Sequence, residues 1–181
     1  MLPPTTQNKI MILGLLLVLA SSPLALTWYI NKHSHNDSFP LGMQLPSLIV
    51  STVNGTTFSF NYQGKKHIII FFTAECSSCQ EELSNLKILY AQYKSKIDFF
   101  AISLSRLEIT NMFLSSQNFP FPVFQWKRTA LQDSMKIVDV PTMFFLDEQR
   151  IVRNEYMGNR TLKEDKTLIQ NFCKESVIQK E

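Results

Sequence analysis

Two cysteines stand three positions apart in the segment "FFTAECSSCQ" (residues 71–80), directly after an apolar run. Thiols at that spacing suit three roles: a redox couple, half of a metal site, or two small residues at a helix start. A structural zinc site uses four Cys or His ligands, commonly as two close pairs. The only other cysteine is Cys173, and His67 is the only histidine within the folded part, so no metal is assigned. His33 and His35 lie in the polar stretch "NKHSHNDSF" and read as solvated linker residues rather than ligands.

The redox reading has a physical basis. A thiol in the first turn of a helix faces unpaired N–H groups and the positive end of the helix dipole, and both stabilise a thiolate. Cys76 in that place is the nucleophile that attacks a partner disulfide. Cys79, one turn on, resolves the mixed disulfide, leaving Cys76–Cys79 oxidised. The reverse direction uses the same atoms. No cofactor is needed beyond this redox-active disulfide. Glu75, Glu81 and Glu82 oppose the thiolate by like charge.

The surrounding pattern must place that turn. "HIIIFFTA" (67–74) is a continuous β-branched and aromatic run, the mark of a strand buried on both faces. From 79 to 94, Leu83, Leu86, Leu89, Tyr90 and Tyr93 recur at helical steps, with Glu81, Glu82, Asn85 and Lys87 off that stripe. Ser77-x-x-Gln80 and Ser78-x-x-Glu81 both fit a capping box, so the helix starts at the cysteines. "KIDFFAISLS" (96–105) is a second buried strand. Strand, helix and strand make a right-handed βαβ unit, and a Cys-x-x-Cys beside one is a redox signature.

Upstream, "LIVSTVNGTTFSF" (48–60) predicts a hairpin turning at Asn54-Gly55. Downstream come a helix near 109–117, an extended "FPFPVF" (119–124) and a short helix near 129–135. An antiparallel strand pair over 141–158 and a closing helix at 162–174 complete the pattern. Pro141 opens a strand, where its missing N–H is tolerated.

Before all this, residues 10–30 form an uncharged apolar run long enough to span a bilayer, with Trp28 and Tyr29 at its end as interfacial anchors. A cleaved signal peptide needs a shorter apolar core and a better cleavage site. The chain therefore divides into a tail (1–9), a transmembrane anchor (10–30), a linker (31–40) and a domain (41–181). With so short a tail, residues 31–181 are placed on the extracytoplasmic side of the cell membrane. Net charge is +3 with scattered basic residues, which excludes nucleic acid as a partner class.

From about 41 to 174 the chain resembles the thioredoxin-like superfamily, in particular its membrane-anchored TlpA/ResA-type thiol–disulfide oxidoreductases. The matching segments are "LGMQLPSLIVSTVNGTTFSF", "KKHIIIFFTAECSSCQEEL", "IDFFAISLS", "FPFPVF" and "VDVPTMFFLDEQRIVRNEYMG". The resemblance implies an α/β fold: a central mixed sheet flanked by helices, with an N-terminal β-hairpin. It also implies that Pro141 is cis and faces the cysteines, and that Val140 offers backbone hydrogen bonds to substrate. Implied partners are exported proteins with thiols or disulfides, including apocytochromes in c-type cytochrome biogenesis, and a membrane thiol carrier as electron donor. Reduction is the first reading, and oxidation stays open.

The chain departs from the family pattern at several places. Glu75 replaces the usual Trp before the first cysteine, and Ser78 the usual Pro before the second. Ile70 stands where some thioredoxins carry a buried Asp, so Cys79 needs water or another group for its proton. A usual Gly in the last hairpin turn is replaced within "DEQR". Two alternatives remain. One is a peroxiredoxin-like peroxidase, for which Thr73-x-x-Cys76 matches part of the signature but Ile69 replaces a proline. The other is a copper-binding assembly factor using Cys76, Cys79 and His67, with His67 otherwise a turn residue. Cys173 reads as a small buried hydrophobe.

Overall fold

A computed structural model describes residues 39–127, 135, 137 and 139–175. Its elements are β1 (Leu48–Ser51), β2 (Thr57–Phe60), β3 (Lys66–Phe72), α1 (Ser77–Tyr93), β4 (Ile97–Ser103), α2 (Leu107–Ser115), β5 (Val123–Trp126), β6 (Thr142–Leu146), β7 (Val152–Met157) and α3 (Leu162–Lys174). The predicted anchor at 10–30 and most of the short helix near 129–135 lie outside the described residues. Among those described, no helix is long and apolar enough to cross a membrane.

The strands form one mixed sheet in the order β2-β1-β5-β4-β3-β6-β7. β3, β4 and β5 run parallel, and β1 and β6 run antiparallel to their inner neighbours. The apolar run of β3 therefore lies in the middle of the sheet, which is why it does not alternate with polar residues. Ile68, Ile70 and Phe72 face one cluster with Leu83, Leu86 and Leu89 of α1 and Ile169 and Phe172 of α3. Ile69 and Phe71 face the other, with Leu48, Val50, Phe60, Phe144 and Leu146. The period of two is present, but both phases are apolar because both faces are covered.

The two hairpins use the same turn in different chemistry. In the first, Thr52 N–H donates to Thr56 O at 2.9 Å and Gly55 N–H to Thr52 O at 2.9 Å. The loop is thus three residues, 53–55, and holds the expected Asn54-Gly55, with Gly55 in the left-handed region (φ 87°). In the second, Arg150 N–H donates to Asp147 O at 3.0 Å, and Arg150 itself is left-handed at φ 66°. A non-glycine there costs about 1 kcal/mol. The side chain offsets this cost: Arg150 is 5% exposed, and its Nη2 donates to Leu45 O at 2.6 Å and Pro46 O at 2.7 Å. Arg150 thus pins the N-terminal segment to the last hairpin. Arg150→Gly is expected to lose about 1–2 kcal/mol of unfolding free energy, and Arg150→Ala about 1 kcal/mol more. Urea denaturation measures both, and a glycine variant as stable as the parent would show that the two hydrogen bonds contribute nothing.

Candidate active site

The site forms where β3 ends. Beyond Phe72 the chain turns through Thr73, Ala74 and Glu75, and Cys76 becomes the N-cap of α1. The cap is the cysteine itself: Cys79 N–H donates to Cys76 Sγ at 3.2 Å. Neither serine capping box forms, because the helix begins before Ser77 could cap it. Ser78 instead places its Oγ 3.1 Å from Cys76 Sγ.

These contacts divide the two thiols. Partial burial opposes a thiolate at Cys76, but hydrogen bonds from the Cys79 thiol, the Ser78 hydroxyl and the N–H groups of both residues outweigh it. Cys76 is held below the ordinary thiol range. Cys79 is fully buried, and burial together with its hydrogen bond to Cys76 pushes its thiol up to about 12. One sulfur is only partly covered and acidified while the other is fully covered and protonated, the asymmetry that disulfide exchange needs. Both cysteines are free thiols here.

The sheet brings the proline loop to the same place. β6 pairs antiparallel with β3, with Thr142 opposite Phe71, so the residues before Thr142 meet those beyond β3. The Val140–Pro141 peptide is cis, and Val140 O lies 4.0 Å from Cys76 Sγ. Gly158 N–H donates to Pro141 O at 2.8 Å, tying the loop to the end of β7.

Sequence reasoning missed Glu82. Set off the apolar stripe there, it is fully buried in the fold. Its Oε2 accepts Arg160 N–H at 2.8 Å and its Oε1 accepts Arg160 Nη2 at 3.1 Å. Arg160 Nε also donates to Asp165 Oδ1 at 3.1 Å, and Asn85 Nδ2 donates to Asp165 Oδ2 at 3.1 Å. Burial, reinforced by the Asp165 charge and opposed by Arg160, raises the Glu82 carboxyl to about 7. Its charge also helps hold the Cys79 proton in place. The available signal was its i+3 position from Cys79, which puts both on one helix face.

His67 is not a turn residue. It is the second residue of β3, 1% exposed, with Nε2 on Tyr62 O at 3.2 Å, and burial lowers its pKa. It stands about 17 Å along the strand from Phe72, at 3.3 Å per residue. The copper alternative therefore has its histidine at the wrong end of β3. Cys173 is at that end as well, since Lys66 Nζ donates to Phe172 O at 2.6 Å. It is half-buried against the α1 and α3 cluster.

Residues 41–155 match the model of the AhpC/TSA family. The chain is 23% identical over 158 residues to the thiol-disulfide oxidoreductase ResA of Bacillus cereus, covering 86% of this chain and 91% of that one. Among solved structures it is similar to StoA from Bacillus subtilis, at TM-score 0.57 and 21% identity, over 69% of this chain and 98% of that one. It is also similar to a secreted Mycobacterium tuberculosis disulfide oxidoreductase homologous to E. coli DsbE. That match has TM-score 0.59 and 17% identity, over 69% of this chain and 96% of the other. The chain belongs to the AhpC/TSA family, as a ResA-type member with the thioredoxin-like fold.

Proposed function

We propose that this chain is a membrane-anchored thiol–disulfide oxidoreductase that reduces disulfides of exported proteins. The observation that carries the reading is the split between a partly exposed, acidified Cys76 and a buried, protonated Cys79 beside the Val140–Pro141 loop.

The Cys76 thiolate attacks one sulfur of a substrate disulfide. That S–S bond breaks, the leaving sulfur takes a proton, and a mixed disulfide joins Cys76 to the substrate. With the Cys76 charge gone, Cys79 loses part of what held its proton. Glu82, one helical turn on from Cys79 and with a pKa near neutrality, accepts that proton, in the role that Ile70 leaves vacant. The Cys79 thiolate then attacks Cys76 Sγ, and the second substrate thiol departs. Two electrons have passed to the substrate, and Cys76–Cys79 is oxidised until a membrane dithiol carrier reduces it. Val140 lends its backbone to the substrate segment. Residues 10–30 anchor the chain, 31–40 tether it, and 41–181 work outside the membrane. Exported proteins with cysteine pairs, apocytochromes among them, are the substrate class.

The test uses the full chain in detergent with dithiothreitol and insulin. Reduction of insulin well above the dithiothreitol rate is expected, and equal rates would exclude the redox reading. Peroxide turnover that survives loss of Cys79 would put a peroxidase in its place. The equilibrium potential of the couple decides direction: about −270 mV marks a reductant, about −120 mV an oxidant.

A further inference from the structure

One polar assembly at the site takes no part in the exchange chemistry. Ser105 Oγ accepts Ala74 N–H at 2.8 Å and donates to Glu75 Oε2 at 2.5 Å. Behind it, Gln125 Nε2 donates to Ser103 O at 3.2 Å and to Ser105 O. Thr110 Oγ1 lies 2.7 Å from Ser103 Oγ and donates to Gln125 Oε1 at 2.9 Å. Ser103, Ser105, Thr110 and Gln125 are all buried. Burying four polar side chains costs stability unless each is satisfied, and here they satisfy one another. The outer end of the chain they form is the carboxylate of Glu75.

Glu75 is exposed, and it immediately precedes the nucleophile, with its Cα about 3.8 Å from that of Cys76. The Ser105 hydrogen bond holds its carboxyl below the usual carboxylate range, so it is charged at neutral pH. Arg106 is the nearby cation acting on it, and among the described residues the two make no close ion pair. Unlike a free surface glutamate, this side chain is held in place by the Ser105 hydroxyl, with a further hydrogen bond from its own backbone N–H. A substrate sulfur must reach Cys76 Sγ, beside Val140 O. The residues flanking the substrate cysteine therefore pass close to Glu75, which adjoins Cys76 in the chain.

We propose that Glu75, positioned by Ser105, selects substrates carrying Lys or Arg next to the reacting cysteine. This rests on the redox reading above. This chain presents a fixed negative charge at the residue before its nucleophile, and that charge favours a cationic neighbour of the substrate cysteine. A flanking cation gains attraction in the encounter, and a flanking acid is repelled by the same carboxylate.

The test compares kcat/KM of the full chain on three disulfide peptides that differ only in having Lys, Ser or Glu beside the cysteine. The Lys peptide is expected to exceed the Glu peptide by about tenfold at low salt, with the ratio shrinking as salt rises. Glu75→Gln should bring the ratio close to one, and Glu75→Lys should invert it. Ser105→Ala should weaken the ratio through KM, because it frees the carboxylate without removing it. A ratio unchanged by both Glu75 variants overturns the proposal and leaves the redox reading standing. If the wild-type chain turns over none of the peptides, the redox reading falls, and this proposal with it.

Discussion

Replacement of Cys76 by serine is expected to lower insulin reduction by roughly a thousandfold or more, because no other described group supplies an acidified sulfur at the site. A serine hydroxyl keeps the cap on the Cys79 N–H, so the fold should persist and the loss should be one of chemistry. Cys79→Ser should behave differently. Cys76 keeps its partial exposure and most of its hydrogen bonds, so it still attacks, but no buried thiol follows to release the product. Mixed disulfides with exported proteins should therefore accumulate, visible as dithiothreitol-sensitive bands on a non-reducing gel. Wild-type insulin reduction by Cys76→Ser, or clean turnover by Cys79→Ser, would refute the assignment of nucleophile and resolving thiol.

The second large effect concerns Arg160. Its guanidinium stands between two buried carboxylates, Glu82 and Asp165. Arg160→Met removes the cation and leaves the acids, and breaking a buried pair from one side costs about 3–5 kcal/mol. The loss should depend on pH, and the sign follows from Glu82. Its pKa in the fold, about 7, lies above its ordinary 4.5, so ionising it there opposes folding. The contribution of Glu82 to stability is thus fully present below its ordinary value and is lost as pH rises through about 7. Arg160 favours the charged form, so removing it deepens that loss. Urea unfolding at pH 8 should show most of the penalty, and at pH 5 only a small part. An equal loss at both pH values would mean that Arg160 acts by packing on Tyr156, whose ring centre is 4.9 Å away, rather than by charge.

Much of this molecule is legible in its residues. Buried strands announce themselves as β-branched and aromatic runs, and α1 by its leucine spacing. These are local signals, set by backbone geometry and by which side chains need covering. The cysteine pair was legible for the same reason, since its chemistry depends on a helix start three residues wide. Glu82 was not. A glutamate on a helix is ordinarily a solvated residue, and only the arrival of Arg160, 78 residues on, makes its burial tolerable. The serine capping boxes failed in the opposite way: their pattern was present, but Cys76 had already taken the cap.

By itself, then, the sequence determined the chemistry available and the elements that carry it: a thiol pair at a strand-to-helix turn, and a proline at the head of another strand. Only the tertiary structure decided which groups surround those thiols. The antiparallel register of β6 on β3 sets Val140 beside Cys76, and the end of β4 together with α2 and β5 supplies the polar chain that fixes Glu75. Arg160 turns a surface acid into a buried one. Each of these joins residues far apart in the chain, and such contacts depend on strand order and burial, which local spacing does not encode.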